Sequence, residues 1–365
     1  MKPWRANIAI DERLLVAYVL LLLIGLTMMY SASSILAESR FGSHMYFFRQ
    51  QAVWALLSIA CIWVLSRLDL QRLAVYSAPA LLFTMLLLSL VFLMPARNGS
   101  HRWLFLGPLT IQPSEMFKFF TIVYLAFSLS NPKRNLGDWR QILFPYAPIL
   151  GLGVLLIILE PDLGAVVVLA FSAIGMFFLA GARLSHLALA TISPAALAGF
   201  VVFVLGYKKP RVLDYLAAVT DPLQGSYQVK QAVLTFGSGG LFGTGLGDGR
   251  QKLFFLPYPH TDFILATIGE ELGFIGLLVI LGLMFYLLWR GCRIAMHQPD
   301  RFGFLLAAGM TWALFVNIAI NVGVVTSLLP VTGRALPFLS YGGSSLLMSS
   351  AAIGVLSNLS RRVER

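Results

Sequence analysis

Apolar residues in this chain come in long unbroken runs, without the two-residue alternation of a half-buried strand. A helix that crosses a bilayer needs about 20 mostly apolar residues. Runs of that kind fall at 14–32, 49–66, 73–95, 113–130, 143–160, 163–181, 186–206, 263–289, 304–328 and 340–358. Backbone groups in hydrocarbon must bond within their own segment, so these runs predict helices. A transmembrane β-barrel would show short segments of alternating polarity, and the pattern has none. The expectation is an all-α integral membrane protein, a bundle of about ten transmembrane helices forming a single transmembrane domain over 1–365. By hydropathy the fourth and tenth runs are the weakest. The fourth contains Glu115 and Lys118, and the tenth opens on a Gly/Ser-rich stretch.

Composition agrees with the pattern. Of 365 residues, 58% are hydrophobic and 12% charged, against roughly 25% charged in a soluble domain. The mean hydropathy is +0.81. The net charge of +11 would suggest nucleic acid in a soluble protein. Here the basic residues sit at the ends of apolar runs rather than in a stripe with interleaved aromatics, so anionic lipid headgroups are the expected counterpart and nucleic acid is not. Cys61 and Cys292 are far apart and lack metal-ligand spacing, which argues against a zinc site or a disulfide framework. The segment MKPWRANIAIDERLL precedes an apolar run with no small-residue cleavage site, and reads as an uncleaved signal anchor.

Lysine and arginine counts set the expected orientation. With the N-terminus in the cytoplasm, inside segments hold 15: Lys2, Arg5, Arg13, Arg67, Arg72, Lys133, Arg134, Arg140, Arg183, Arg290, Arg293, Arg301, Arg361, Arg362 and Arg365. The short outside loops hold five: Arg40, Arg49, Arg97, Arg102 and Arg334. Ten spans return the C-terminus to the cytoplasm and leave one long extracytoplasmic loop, at 207–262. Within it, DPLQGSYQVKQAVLTFGSGG predicts one amphipathic helix lying on the bilayer surface.

The polar residues that remain gather at the outer ends of the runs. Glu115 and Lys118 are three apart and share a helix face. They form either a pair that only fixes a helix in the bundle, or part of a polar pocket rimmed by Arg102 and Trp103. Glu160-Pro161-Asp162 is a tight outer turn, either solvated or able to bind a metal or neighbouring loops. The stretch GTGLGDG (243–249) has the glycines of a phosphate-cradling loop but no strand–turn–helix context, and reads as a loop held close to the membrane. Asp262 stands where an apolar run begins. It is either a helix N-cap or a partly desolvated general base, with His260 placed to tune it. Of Glu270 and Glu271, at least one faces the bundle interior, where a contact with Lys118 is plausible geometry. The last outer loop, LLPVTGRALPFLSYGGSSLL, breaks helix and offers hydroxyls at Ser340, Tyr341, Ser344 and Ser345. Together these residues describe an outer-leaflet site for a lipid-linked polar substrate, to be either moved or reacted.

Three segments, RWLFLGPLTIQPSEMFK, QKLFFLPYPHTDFILATIGEELGFIG and LPVTGRALPFLSYGGSSLL, together with MYSASS and EPDLG, resemble the SEDS family (shape, elongation, division and sporulation). The resemblance covers nearly the whole chain, and GTGLGDGRQKLFFLPYPHTDF is most similar to its cell-division branch, with the rod-shape elongation branch as the alternative. It implies a peptidoglycan glycosyltransferase that polymerises lipid II at the outer face of the cytoplasmic (inner) membrane, at the division septum. Asp262 would be the catalytic residue. Substrate-binding positions would be Arg102, Trp103, Gln112, Ser114, Glu115, Lys118, Lys252, His260, Thr261, Arg334, Ser340, Tyr341, Gly342, Gly343 and Ser344, with Asp162, Glu270 and Glu271 shaping the pocket. Lys118 and Arg102, then Lys252 and Arg334, are the cations for the leaving pyrophosphate. A divalent cation, Mg2+ or Mn2+, could share that task, though no motif demands it. Tyr258 departs from the Glu that many division members carry there. The implied partners are a class B penicillin-binding protein and other division membrane proteins. A lipid II flippase and a non-catalytic division scaffold are the competing functions.

Overall fold

The computed structural model describes residues 10–96, 100–107, 109–134, 137–188, 209–250, 255–257 and 259–362. The chain folds as helices α1 (Glu12–Phe41), α2 (Tyr46–Leu65), α3 (Leu70–Val75) and α4 (Ser77–Leu90), followed by strands β1 (Leu104–Leu106) and β2 (Leu109–Ile111). Then come α5 (Pro113–Leu129), α6 (Trp139–Leu159), α7 (Leu163–Leu179), α8 (Lys209–Thr220), α9 (Tyr227–Gly239), α10 (Ile264–Met296), α11 (Arg301–Val325) and α12 (Gly343–Ser360). Aspartates start several of these helices, because a carboxylate accepts the first free backbone N–H groups. Asp11, Asp69, Asp138, Asp162 and Asp300 cap α1, α3, α6, α7 and α11 in this way.

Among the described residues, α1, α2, α10 and α11 are long and apolar enough to cross a membrane, and α4, α6 and α7 are shorter apolar helices. Large apolar side chains such as Leu56, Trp63, Leu82, Phe171 and Phe285 face outward. That belt belongs in hydrocarbon, since water-soluble proteins rarely expose so large a contiguous apolar surface. The protein is a helical membrane protein.

Four features differ from the sequence pattern. The run at 73–95 is two helices that meet at Tyr76 and end in a 3-10 turn at Val91–Leu93. The run at 340–358 is helical only from Gly343, because the Ser340–Gly342 backbone is turned onto Gln51 of α2 and the His260 carbonyl. An antiparallel two-stranded ribbon pairs Leu104 with Ile111, so the fold is not helix alone. Its β-favouring residues flank a turn in which Gly107 has φ 63°. Finally, the long loop carries two helices: α9 is the helix expected within 221–240, and α8 is an additional one that precedes that segment. Helix α9 packs against α10: a Cβ on Gly239 would lie 2.0 Å from the Gly269 carbonyl oxygen. Most of the run at 186–206 lies outside the described residues.

Polar contacts divide the bundle into two ends. At one, Arg290 binds the Asp11 carboxylate, the Asp11 amide donates to Ser360, Gln298 reaches the Leu359 carbonyl and Asn358 the carbonyls of Leu65 and Leu68. Arg67 over Trp63 and Arg293 over Trp289 add cation–π pairs of the kind found at headgroup level. The other end gathers Gln51, Gln112, Asp162, Asp262, Arg334 and Ser340.

The glycine-rich loop is fixed from within the bundle. Helix α10 breaks at Gly273, whose φ of 67° and ψ of −171° are open to glycine but strained for other residues. Phe274 and Ile275 then donate to the carbonyls of Gly240 and Leu241, while Thr244 and Gly245 donate to those of Glu270 and Glu271. The side chains add to this: Arg250 N–H binds Glu270 Oε1 at 2.8 Å and Gly247 N–H binds Glu271 Oε2 at 3.1 Å. Ser31 of α1 donates to Glu271 at 2.7 Å. The loop cradles carboxylates of its own chain, and Glu270 and Glu271 serve as its anchors. Replacing Glu271 with Ala removes the acceptor for Gly247 and Ser31. The expected result is a loss of about 2 kcal/mol, measured as a lower thermal midpoint in detergent, together with faster protease cleavage between 243 and 250.

Candidate active site

The site is built where α5, the 160–162 turn, the residues before α10 and the loop before α12 converge. Pro113 opens α5 in the first-turn position suited to it, which sets Glu115 and Lys118 one turn inside. Lys118 Nζ lies 2.9 Å from the Glu115 carboxylate. Arg334 also binds Glu115, and its second nitrogen lies 3.5 Å from Asp162 Oδ2. Gln112 Nε2 donates to that same Asp162 oxygen at 2.9 Å, while Asp162 Oδ1 accepts the Ala165 amide and caps α7. All of these side chains are buried. One network therefore joins α5, the 160–162 turn with α7, and the last loop, and Lys118 pairs on its own helix rather than with Glu270 or Glu271.

Asp262 immediately precedes α10 and is half-buried. Helix α10 has no side-chain N-cap bond, so the carboxylate is not used as a helix cap. Burial raises its pKa above the usual carboxylate range, opposed by a hydrogen bond from Thr261 and by the charges of Arg334 and Arg102. A methyl on Gly333 would sit 3.4 Å from Asp262 Oδ2, which shows how closely the Arg334 loop passes. Asn321 of α11 links the two segments: its Nδ2 donates to the carbonyls of Asp262 at 2.9 Å and Arg334 at 2.6 Å.

His260 does not supply a tuning charge. It is buried between Phe47 and Tyr341, with ring centroids at 4.8 and 5.7 Å, and burial holds its pKa down at about 4. The imidazole is neutral at ordinary pH and acts through packing. The last loop holds the 260–262 backbone in place. Ser340 Oγ donates to the Thr261 carbonyl at 2.6 Å, and the Tyr341 amide donates to the His260 carbonyl at 2.8 Å. Tyr341 OH binds Gln50, Gln51 Oε1 accepts the Gly342 amide, Gly343 rests on the Trp54 ring, and Ser344 Oγ accepts the Gln112 amide. Ser114 is buried and its hydroxyl has no protein partner. Trp103 lies half-buried just before β1. Lys252 and Tyr258 lie outside the described residues.

Arg102 straps the outer turn. Its Nε donates to the Glu160 carbonyl at 3.2 Å and its NH2 to the Pro161 carbonyl. Both contacts are to neutral carbonyls, so its charge is not neutralised by a bonded carboxylate. Glu160 itself is fully buried, and among the described residues neither carboxylate oxygen has a hydrogen-bond partner. Burial, with Asp162 nearby, raises its pKa to about 9. With Glu160 protonated, Glu115 and Asp162 are matched by Lys118 and Arg334, and Arg102 is the surplus cation facing Asp262.

Sequence reading missed Asn321 and undervalued Arg334. The available signal for Asn321 was a carboxamide inside an otherwise apolar run, where a polar group needs a partner. Glu160 supplies a direct test of the electrostatics. A hydrophobic carbodiimide, which attacks only protonated carboxyls, should modify Glu160 at pH 7, with labelling falling as the pH rises through about 9. Peptide mass spectrometry reads the adduct, and labelling that is absent at pH 7 would contradict the neutral assignment.

The sequence profile described as "Cell cycle protein", FTSW_RODA_SPOVE, matches residues 12–365. The chain is 42% identical over 357 residues to stage V sporulation protein E of Bacillus subtilis, covering 96% of this chain and 97% of that one. It is 39% identical to a protein named probable peptidoglycan glycosyltransferase FtsW of Geobacter metallireducens, covering 97% and 95%. Among solved structures, a chain from a peptidoglycan synthase complex that coordinates polymerisation and crosslinking superposes with a TM-score of 0.80 at 28% identity, covering 97% of this chain and 98% of that one. Rod shape determining protein RodA of Thermus thermophilus superposes with a TM-score of 0.71 at 27% identity, covering 98% and 99%. Spanning almost all of these relatives and sharing their fold, the chain belongs to the FtsW/RodA/SpoVE family of membrane proteins.

Proposed function

We propose that this protein is a peptidoglycan glycosyltransferase that joins lipid II units into glycan strands, with Asp262 as the general base. The observation that carries the reading is the half-buried Asp262 carboxylate set against Arg334 and Arg102, at the bundle end away from the arginine–tryptophan pairs. Relatives named for the same activity support it.

In the proposed reaction Asp262 removes the proton from the acceptor GlcNAc 4-hydroxyl. The freed oxygen attacks C1 of the donor MurNAc, the bond to the pyrophosphate breaks, and undecaprenyl pyrophosphate departs with the electron pair. Attack from the opposite face inverts the anomeric centre from α to β. The raised pKa of Asp262 suits a base that must hold the proton it takes. Negative charge grows on the leaving pyrophosphate, and a fixed cation stabilises it most in a low-dielectric site. Arg102 fits that role best, since Lys118 and Arg334 are already matched by carboxylates. Among the described residues no three His, Cys, Asp or Glu side chains converge as a cation cage. A divalent ion would therefore take most of its ligands from pyrophosphate and water.

The proposed setting is the cytoplasmic membrane, with ten spans, both termini in the cytoplasm and the Asp262 end outside. The protein would act at the division septum beside a class B penicillin-binding protein, which crosslinks the strands, and with other division membrane proteins. The similarity to a synthase-complex chain supports the penicillin-binding partner.

Purified protein with its transpeptidase partner and labelled lipid II should form long glycan on a gel, and Asp262→Ala should lower that rate by about 100-fold or more. Full-length glycan at the normal rate from the variant would remove Asp262 as the base. Lipid II transport that survives in the variant while polymerisation never occurs would favour a flippase.

A further inference from the structure

Asn321 reaches both segments through one side-chain nitrogen, bonding the carbonyls of Asp262 and Arg334 themselves, while Ser340 Oγ makes a neighbouring link between Leu336 and Thr261. Asn321 lies near the end of α11, which closes at Val325, and is 1% exposed. A single amide nitrogen donates its two hydrogens to two backbone carbonyls, those of Asp262 and Arg334. A carboxamide has two N–H donors in one plane at fixed angle, so it holds both acceptors at a set separation. Neither segment is regular structure at this point, since 326–342 and 259–263 are turns and loops. Their spacing therefore depends on cross-links of this kind rather than on a helical ladder.

We propose that Asn321 is a positioning residue that sets the distance between the base at Asp262 and the cation at Arg334. The proposal deepens the polymerase reading and rests on it. The groups facing the Asp262 carboxylate are Thr261 on its own segment, Arg334 from the last loop, Arg102 from the segment before β1 and Asp162 from the outer turn. Of these, Arg334 is the one whose backbone Asn321 holds. Letting that loop drift weakens the attraction of Arg334 for the ionised base, and Asp262 then ionises at higher pH.

The test uses Asn321→Leu, which keeps the side-chain shape without its donors, and Asn321→Asp, which puts an acceptor against two carbonyls. Both are assayed as full-length protein with the transpeptidase partner. The expected result is a fall in kcat of about 100-fold, the penalty for small misplacement of a reacting group, with KM for lipid II within about twofold. The acid limb of the pH–rate profile should move to higher pH. Backbone hydrogen exchange should speed up in both 259–263 and 332–336. A lowered rate with an unmoved acid limb, or faster exchange in one segment alone, would reduce Asn321 to a packing residue and overturn the proposal. If the unaltered protein makes no glycan while Asp262→Ala behaves the same, the polymerase reading has failed instead, and the exchange result still decides whether Asn321 joins the two segments.

Discussion

The ion network of Lys118, Glu115, Arg334 and Asp162 is the constraint around which the Asp262 end of this bundle is arranged. Each charge is buried, and removing one partner from such a pair costs about 3–5 kcal/mol, because the other is left without compensation. That penalty ties α5, the 160–162 turn and the last loop to one geometry. The remaining elements at that end then have little freedom. Gln112 continues the network into the ribbon and meets Ser344 at the start of α12. Asp162 ends it by capping α7. The loop from Arg334 to Gly342, which has no regular structure of its own, is held at Arg334 and, just past its far end, at Ser344.

The same network accounts for the character of the site. Two carboxylates and two cations cancel, so neither the lysine nor the buried arginine presents free charge to a ligand. What remains is Arg102, bonded to carbonyls, and Asp262, bordered by cations but capped by none. A protonated Glu160 keeps the outer turn from contributing another negative charge. The site thus separates charge locked in ion pairs from charge that is not, although both kinds lie close together.

Sequence reading was most reliable where one physical rule dominates. Long apolar runs became helices because hydrocarbon leaves backbone no other choice. Glu115 and Lys118 could be paired from spacing alone, and the structure places the pair on one helix face. Contacts between distant segments were beyond that reach. Arg334 lies 219 residues from Glu115, and neither residue's neighbours indicate the partnership. Glu270 and Glu271 looked like partners for Lys118, but their acceptors face a glycine loop whose backbone amides leave no trace in side-chain identity. His260 looked like a charge beside Asp262. Only the positions of Phe47 and Tyr341, from far along the chain, make it neutral packing. Hydroxyls in the last loop suggested ligand contacts, while Ser340 is engaged by backbone on both sides.

The break at Gly273 has a mechanical meaning. A continuous α-helix is a stiff rod, because each turn is bonded to the next. Here the rod is cut, and the carbonyls and amides at the cut are bonded to the 240–245 loop instead. The first segment of α10 starts beside Asp262 and is braced by that loop and by α9. The second runs on to Arg290 and its partner Asp11. Torque applied to the first segment is therefore diverted sideways into the loop, and the anchored far end is insulated from it.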